Sequence, residues 1–204
     1  MQQDRKFEGG LISKKLTREI LGTKFSKSKR SSIIPFFYKN GIKYYFLAIS
    51  AEYDQVNDMG GRIDPGEDFL ESAIRELNEE SVCVFDYKDN YNYIADNSIT
   101  IYDDNNIITF VNISYKSDLC EDFEKNYKLA LKDVNTDPVY LENRHMIYIS
   151  EEDLKDLCKN EKVKIPKKLS KIIGEFKYYP NIYLDLKNTL IKGFRGWESL
   201  DTLH

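Results

Sequence analysis

The chain is poor in the residues that build cross-linked or zinc-centred proteins. It has three cysteines, two histidines and one tryptophan in 204 residues. Cys83, Cys120 and Cys158 are widely spaced with no Cys-x-x-Cys pair, and His145 and His204 are the only imidazoles. This argues against a zinc site. A sparse, odd cysteine count points to a reducing, cytoplasmic setting. Met1 to Lys6 is polar, without the apolar core of a signal peptide. The most apolar stretch, Ile42 to Ala51, is too short to span a bilayer and contains Lys43, so no membrane partner is expected. An excess of positive charge is also missing: the net charge is −4 and the pI about 5.4, which excludes wholesale charge-driven DNA binding. The charge is uneven, however. Lys14 to Arg30 holds seven Lys/Arg against one acid, Glu19, a net +6. Such an arm suits phosphates; it equally reads as a solvated helix and linker.

What is present fits a globular protein. The length allows one domain with extensions, and 41% hydrophobic residues supply a core. A short helix is expected over Lys14 to Leu21, with Gly22 as its stop. Ser32 to Tyr38 and Ile42 to Ser50 are rich in Ile, Phe and Tyr and flank Asn40-Gly41, a hairpin signal. Asn57 to Gly66 has the composition of a turn-rich loop, followed by a helix over Asp68 to Ser81. Strands are expected at Val82 to Tyr87, Tyr91 to Ala95, Ser98 to Tyr102, Ile107 to Tyr115 and Arg144 to Ile149. Glu151 to Lys159 reads as a helix capped by Ser150, and Lys167 to Lys192 as two helical pieces broken near Pro180. Helices before, between and after strands indicate an α/β domain with a mixed sheet. The expected division is a basic arm over 1–30, a central domain over 31–160 and a mostly helical extension over 161–204, packed on the same domain.

Chemistry concentrates between Gly60 and Glu80. On a helix Glu76, Glu79 and Glu80 are spaced i,i+3 and i,i+4 and share one face. Leu70, Ala73, Ile74 and Leu77 form another, apolar face. Three carboxylates in two turns repel one another unless something positive offsets them, and hard divalent cations such as Mg²⁺ or Mn²⁺ do so with oxygen ligands. Arg75, four residues before Glu79, is placed to orient the cluster. Glu67 stands just before the helix, where its dipole favours an acid, and within reach of Arg75. Gly60, Gly61 and the Pro65-Gly66 turn let backbone approach a ligand closely.

This segment resembles the box of the Nudix hydrolase family, G-x5-E-x7-R-E-U-x-E-E-x-G-U with U apolar. Gly61, Glu67, Arg75, Glu76, Leu77, Glu79, Glu80 and Cys83 match in order. Val82 departs from it, standing where the family has the glycine that closes the helix, so a different local helix end is expected. Glu142, before the strand His145 to Ile149, matches a further family acid. The likeness spans about Arg30 to Leu157. It implies a Nudix-type α/β/α sandwich and a metal-dependent pyrophosphohydrolase cleaving a diphosphate linkage in a nucleotide-like substrate. By resemblance, Mg²⁺ or Mn²⁺ is held by Gly61, Glu76, Glu79, Glu80 and Glu142. Arg75, Glu79, Glu80 and Glu142 carry catalysis, with Glu80 and Glu142 the alternative general bases. Arg62 binds phosphate, or is an ordinary surface arginine, and Glu67 supports the cluster. The run Gly60 to Asp64 with Arg75 to Ser81 is also similar to Nudix proteins of large DNA viruses, which include mRNA-decapping enzymes; there the basic arm would meet RNA. Hydrolysis of a small nucleotide, nucleotide sugar, dinucleotide or diphosphoinositol phosphate remains open, as does a non-catalytic binding module. Tyr38, Tyr44, Tyr53 and Tyr140 are candidates to stack on a base; the sequence does not choose among them.

Overall fold

The computed structural model describes residues 16–21, 30–103, 105–114, 116 and 118–194. In chain order its elements are helix α1 (Leu16–Ile20), strands β1 (Arg30–Lys39), β2 (Ile42–Ser50), β3 (Val56–Asn57) and β4 (Met59–Arg62), helices α2 (Phe69–Glu80) and α3 (Tyr91–Asn97), strands β5 (Ser98–Tyr102) and β6 (Asn106–Asn112), helix α4 (Leu119–Ala130), strand β7 (Asn143–Ser150) and helices α5 (Glu151–Cys158), α6 (Lys167–Ile173) and α7 (Leu184–Phe194). Among the described residues, no helix is long and apolar enough to cross a membrane.

The fold is α/β with a mixed seven-stranded sheet, ordered β3-β2-β1-β6-β5, with β4 on β1 and β7 on β2. β1 and β6 run parallel; the other pairs are antiparallel. β1 is buried almost throughout rather than on alternate residues, as strands covered on both faces are. Phe36, Phe37, Tyr45, Phe46 and Phe110 fill the centre. The β1–β2 hairpin closes through Asn40 and Gly41, both at positive φ (53° and 75°), the conformation that lets a two-residue turn follow the strands' twist.

One feature of β1 shapes the site. Along one edge it pairs with β4 over Arg30 to Ile33 and with β2 over Phe36 to Lys39. Pro35, with no N–H to give a ladder, stands between the two registers. The sheet forks there, and the end of β2 and β3 part company from β4.

α2 begins with a full capping box. Asp68 accepts from the Leu70 and Glu71 N–H groups, and Glu71 accepts from the Asp68 N–H. The Tyr91 hydroxyl donates to the other Asp68 oxygen at 2.6 Å. At its far end Val82 and Cys83 both take positive φ (52° and 61°). The Cys83 N–H reaches back to the Asn78 carbonyl at 2.8 Å, the bond by which a glycine-closed helix normally ends. Val82 therefore adopts the glycine conformation in spite of its branched side chain. Burial of that side chain and a 2.8 Å bond from Asn126 of α4 to the Val82 carbonyl hold it there.

Several sequence expectations are corrected. Val82 to Tyr87 forms turns, not a strand, because the helix reverses through Val82 and Cys83. Tyr91 to Ala95 is helical, burying Ile94 and Ala95 while Tyr91 reaches Asp68. Gly60 and Gly61 lie in strand β4 rather than in a loop. α4 was not foreseen. The C-terminal segment extends the same sheet region: the Val56 N–H bonds to the Asn181 carbonyl (2.9 Å) and the Tyr183 N–H to the Val56 carbonyl (2.8 Å). In the basic arm, Arg18 pairs with Asp96 and Arg30 with Asp58; Lys14, Lys15, Lys24, Lys27 and Lys29 lie outside the described residues.

Replacing Asp68 with Ala removes the cap and the Tyr91 bond together and is expected to cost about 1–2 kcal/mol. A chemical-denaturation midpoint unchanged from wild type would contradict this account of how α2 starts.

Candidate functional site

The fork in the sheet opens a cleft of about 570 Å³. Its walls come from β1 and β4 (Arg30, Gly60), from the end of β2 and the turn to β3 (Ser50 to Tyr53, Gln55, Asn57), from the approach to β7 (Glu142, Asn143) and from Tyr183; Glu80 enters from the end of α2. The helix terminus therefore delivers its last carboxylate where the two branches of the sheet diverge.

The acidic face of α2 is organised by Arg75. Its Nε donates to Glu67 (2.9 Å), its Nη1 to Glu76 (2.7 Å) and Glu79 (3.2 Å), and its Nη2 to Glu67 (3.0 Å) and the Arg62 carbonyl (3.1 Å). One planar guanidinium thus ties the first acid of the motif to two on the helix, as its fork of donors permits. Pairing with Arg75 holds the Glu67 carboxyl below its usual range. Glu76 moves the other way: burial raises it, Glu79 and Glu142 add to the rise, and Arg75 opposes it.

Glu80 is buried, and burial pushes its carboxyl well above the usual range, with Asp58, Glu142 and Glu76 adding like charge and Arg30 opposing. Its two hydrogen bonds both fall on Oε2, from the Gly60 N–H and the Asn143 side chain, each at 3.0 Å. Oε1 accepts none from the described residues, and Glu80 lines the cleft. Asp58, fully buried, pairs with Arg30 at 2.7 Å, and Arg30 also donates to the Gly60 carbonyl at 2.7 Å.

The two glycines have different reasons to be there. A Cβ on Gly60 would fall 2.5 Å from the Ser31 carbonyl oxygen and 2.7 Å from the Ser32 Cα of the paired strand. A Cβ on Gly61 would fall 2.5 Å from both Glu76 carboxylate oxygens. Gly60 admits a strand; Gly61 admits a carboxylate.

Of the residues expected from sequence, the structure gathers Glu67, Arg75, Glu76 and Glu79 in one network beside Gly61, and places Glu80 and Glu142 in the cleft. Arg62 is exposed and does not line the cleft; only its carbonyl takes part, bonded by Ser72 and Arg75. Tyr38 lies against Lys43, Tyr44 stacks on Phe37, and Tyr140 lies beside Cys83 and Glu79. Only Tyr53 of the four lines the cleft, 66% exposed. Arg30, Asp58, Asn143 and Tyr183 were not foreseen, since the partners that bring them to the cleft lie 28 to over 100 positions away in the chain and carry no local spacing signal.

Among the described residues, no three Asp, Glu, His or Cys side chains stand together as a ready ion cage. Arg75 takes up Glu76 and Glu79, and Gly60 and Asn143 take up Oε2 of Glu80. The donor set is nevertheless that of a hard divalent cation, carboxylates and backbone carbonyl without thiolate or imidazole. The free Oε1 of Glu80 and the Glu76 carboxylate seated against Gly61 fit Mg²⁺ or Mn²⁺ by their chemistry.

No family model and no curated protein matches the chain. Solved structures do. A Caenorhabditis elegans Ap4A hydrolase aligns at 15% identity over 84% of this chain and 98% of its own, with a TM-score of 0.38. The Nudix domain of Shewanella oneidensis NrtR, complexed with ADP ribose, aligns at 10% identity over 81% and 87%, with a TM-score of 0.40. The Bacillus subtilis pyrophosphohydrolase BsRppH aligns at 15% identity over 84% of both chains, with a TM-score of 0.35. Likeness this low does not assign a function, which has to come from the residues of the cleft.

Gly60→Ala is expected to destabilise the chain by about 1–3 kcal/mol, the usual cost of overpacking against backbone. In Gly61→Ala the nearest atoms met belong to the Glu76 carboxylate, at the end of a flexible side chain, so the melting loss should be smaller than for Gly60→Ala while Glu76 is turned away from its seat. Equal melting losses for the two variants, compared by thermal denaturation, would contradict this distinction.

Proposed function

We propose that this protein is a metal-dependent pyrophosphohydrolase that cleaves a diphosphate linkage in a nucleoside-diphosphate-linked substrate, as its Nudix-like motif implies. The observation that carries the reading is Glu80: a buried carboxylate with one oxygen pinned by Gly60 and Asn143 and the other free in a cleft shared with Glu142. A plain solvated helix face would have neither the burial nor the cleft.

Gly61, Glu76, Glu79, Glu80 and Glu142 are the residues that would hold Mg²⁺ or Mn²⁺, which when bound offsets phosphate charge and makes a water more acidic. The chain's own part is positioning and proton transfer. Arg75 holds Glu76 and Glu79 together on α2, and Glu67 holds Arg75. Where Oε1 of Glu80 is left off the metal, it is placed in the cleft to take the proton from the attacking water. Glu142, across the cleft, is the other group able to do so. Residues 31–160 supply these groups, and the 161–204 extension adds Tyr183 to the cleft wall.

The lining supports a nucleoside as the other half of the substrate. Tyr53 and Tyr183 are two aromatic side chains in a wall that also carries Gln55 and Asn57, a combination that stacks on a base and reads its polar edge. Among the described residues, Arg30 is the one cationic side chain lining the cleft, against Glu52, Glu80 and Glu142. A densely phosphorylated inositol needs several cations, so the balance favours a substrate with few phosphates. Capped RNA is a narrower form of the same reading. It rests on the five arm lysines, since Arg18 and Arg30 are engaged by Asp96 and Asp58. Retention of all the motif acids weighs against a non-catalytic module.

The test is hydrolysis by the full chain with Mg²⁺, Mn²⁺ or chelator, across capped RNA, free cap analogue, nucleoside triphosphates, nucleotide sugars, dinucleotides and diphosphoinositol phosphates. Turnover of a nucleoside-containing substrate is expected only with metal. Glu80→Gln, which keeps an acceptor for Gly60, should lower kcat roughly 100-fold or more, and Glu79→Gln should also remove most activity. Near-normal turnover in either variant with metal present would remove its assigned role. Silence across the panel would favour a binding module.

A further inference from the structure

We propose that Arg30 is a positioning residue for this hydrolysis, holding the Gly60–Gly61 peptide so that Glu80 keeps Oε2 tethered and Oε1 turned to its work in the cleft. The inference rests on the reading of the cleft as a hydrolytic site, and adds a residue outside the Nudix-like motif.

The geometry is a clamp on one glycine. The Gly60 N–H donates to Glu80 Oε2 at 3.0 Å, and the Gly60 carbonyl accepts from Arg30 Nη2 at 2.7 Å. These two groups belong to successive peptide planes, 59–60 and 60–61, each rigid. Glycine is the residue least able to fix the torsions between such planes by itself. Arg30 therefore fixes the plane leading into Gly61, and with it the tilt of the N–H that pins Glu80.

Arg30 is in turn held by Asp58, Nη1 to Oδ2 at 2.7 Å. Asp58 is fully buried and its Oδ1 has no partner among the described residues. A buried carboxylate with one unsatisfied oxygen is costly, so it depends on Arg30. Loss of either member leaves a buried charge unpaired. Burial of Arg30 lowers its basicity, but Asp58 and Glu80 more than compensate, so it stays charged. Arg30 thus serves the structure with two nitrogens already engaged, although its side chain also borders the cleft.

A guanidinium bonds Asp58 and Gly60 from two nitrogens in one plane; an ammonium is a single point. Arg30→Lys therefore preserves the charge beside Asp58 while breaking the two-sided grip. Asp58→Asn loosens the same grip from a residue that does not line the cleft.

The experiment compares full-length wild type, Arg30→Lys and Asp58→Asn by three readouts: kcat and KM on the nucleoside substrate that wild type turns over, affinity for Mn²⁺ alone followed by its electron paramagnetic resonance signal, and thermal melting. We expect kcat to fall about tenfold in both variants with KM within about twofold, and Mn²⁺ affinity to fall about tenfold, at the low end of what orienting residues around a metal site cost. A raised KM with unchanged kcat in Arg30→Lys, and no effect of Asp58→Asn, would overturn the proposal and make Arg30 a phosphate contact. So would wild-type kcat and Mn²⁺ affinity in both variants. Loss of the melting transition in Arg30→Lys would also overturn it, since the pair would then hold the fold rather than the site. A wild-type chain that binds Mn²⁺ and hydrolyses nothing defeats the hydrolase reading instead; the variants' Mn²⁺ affinities still decide the clamp.

Discussion

Too many carboxylates stand at one end of α2, and much of the local structure answers that constraint. Glu76, Glu79 and Glu80 lie within two turns, with Glu142 close enough to raise Glu76 and Glu80 electrostatically and Asp58 close enough to raise Glu80. Like charges at such range disfavour ionisation unless cations or hydrogen bonds intervene. Arg75 answers for Glu67, Glu76 and Glu79 on the outer side of the helix. Arg30 answers for Asp58 and, at longer range, for Glu80 on the inner side. Two arginines for five or more acids leave a deficit of positive charge, which is why a divalent cation belongs in the account.

The fold turns this charge problem into a site. β1 changes partners at Pro35, the sheet divides, and the end of α2 meets the gap. Gly60 lets β4 lie against Ser32, and Gly61 lets Glu76 lie against β4. The same two residues therefore serve the strand pairing and the acidic cluster, through different neighbours. Two residues beyond Glu80, Val82 accepts a left-handed backbone because Asn126 of α4 donates to its carbonyl. What a glycine would do by conformational freedom is done here by tertiary contact.

The legible part of the site was that encoded by local spacing. The shared face of Glu76, Glu79 and Glu80, the reach of Arg75 to Glu67, and the cap Ser150 all follow from helical spacing over a few residues; the capping role of Asp68 came only with the structure. The hairpin at Asn40-Gly41 and the mixed sheet were read the same way. The β-prone run Tyr91 to Ala95 misled because tertiary contact overrides propensity: the buried Ile94 and the bond from Tyr91 to Asp68 favour a helix. Arg30, Asp58, Asn143 and Tyr183 were illegible for a related reason. Arg30 finds Gly60 across a strand pair, Asn143 finds Glu80 63 residues away, and Tyr183 returns to Val56 from the C-terminal extension. No single-chain pattern marks such meetings.

The central claim is that this cleft breaks a phosphoanhydride bond. The most direct measurement is phosphorus NMR of a nucleoside-diphosphate-linked substrate turned over in ¹⁸O-labelled water with Mg²⁺. The account predicts two phosphorylated products from scission between phosphorus atoms, with ¹⁸O on one of them, and no reaction in chelator. Binding without scission, or cleavage at a bond other than the diphosphate linkage, would contradict it.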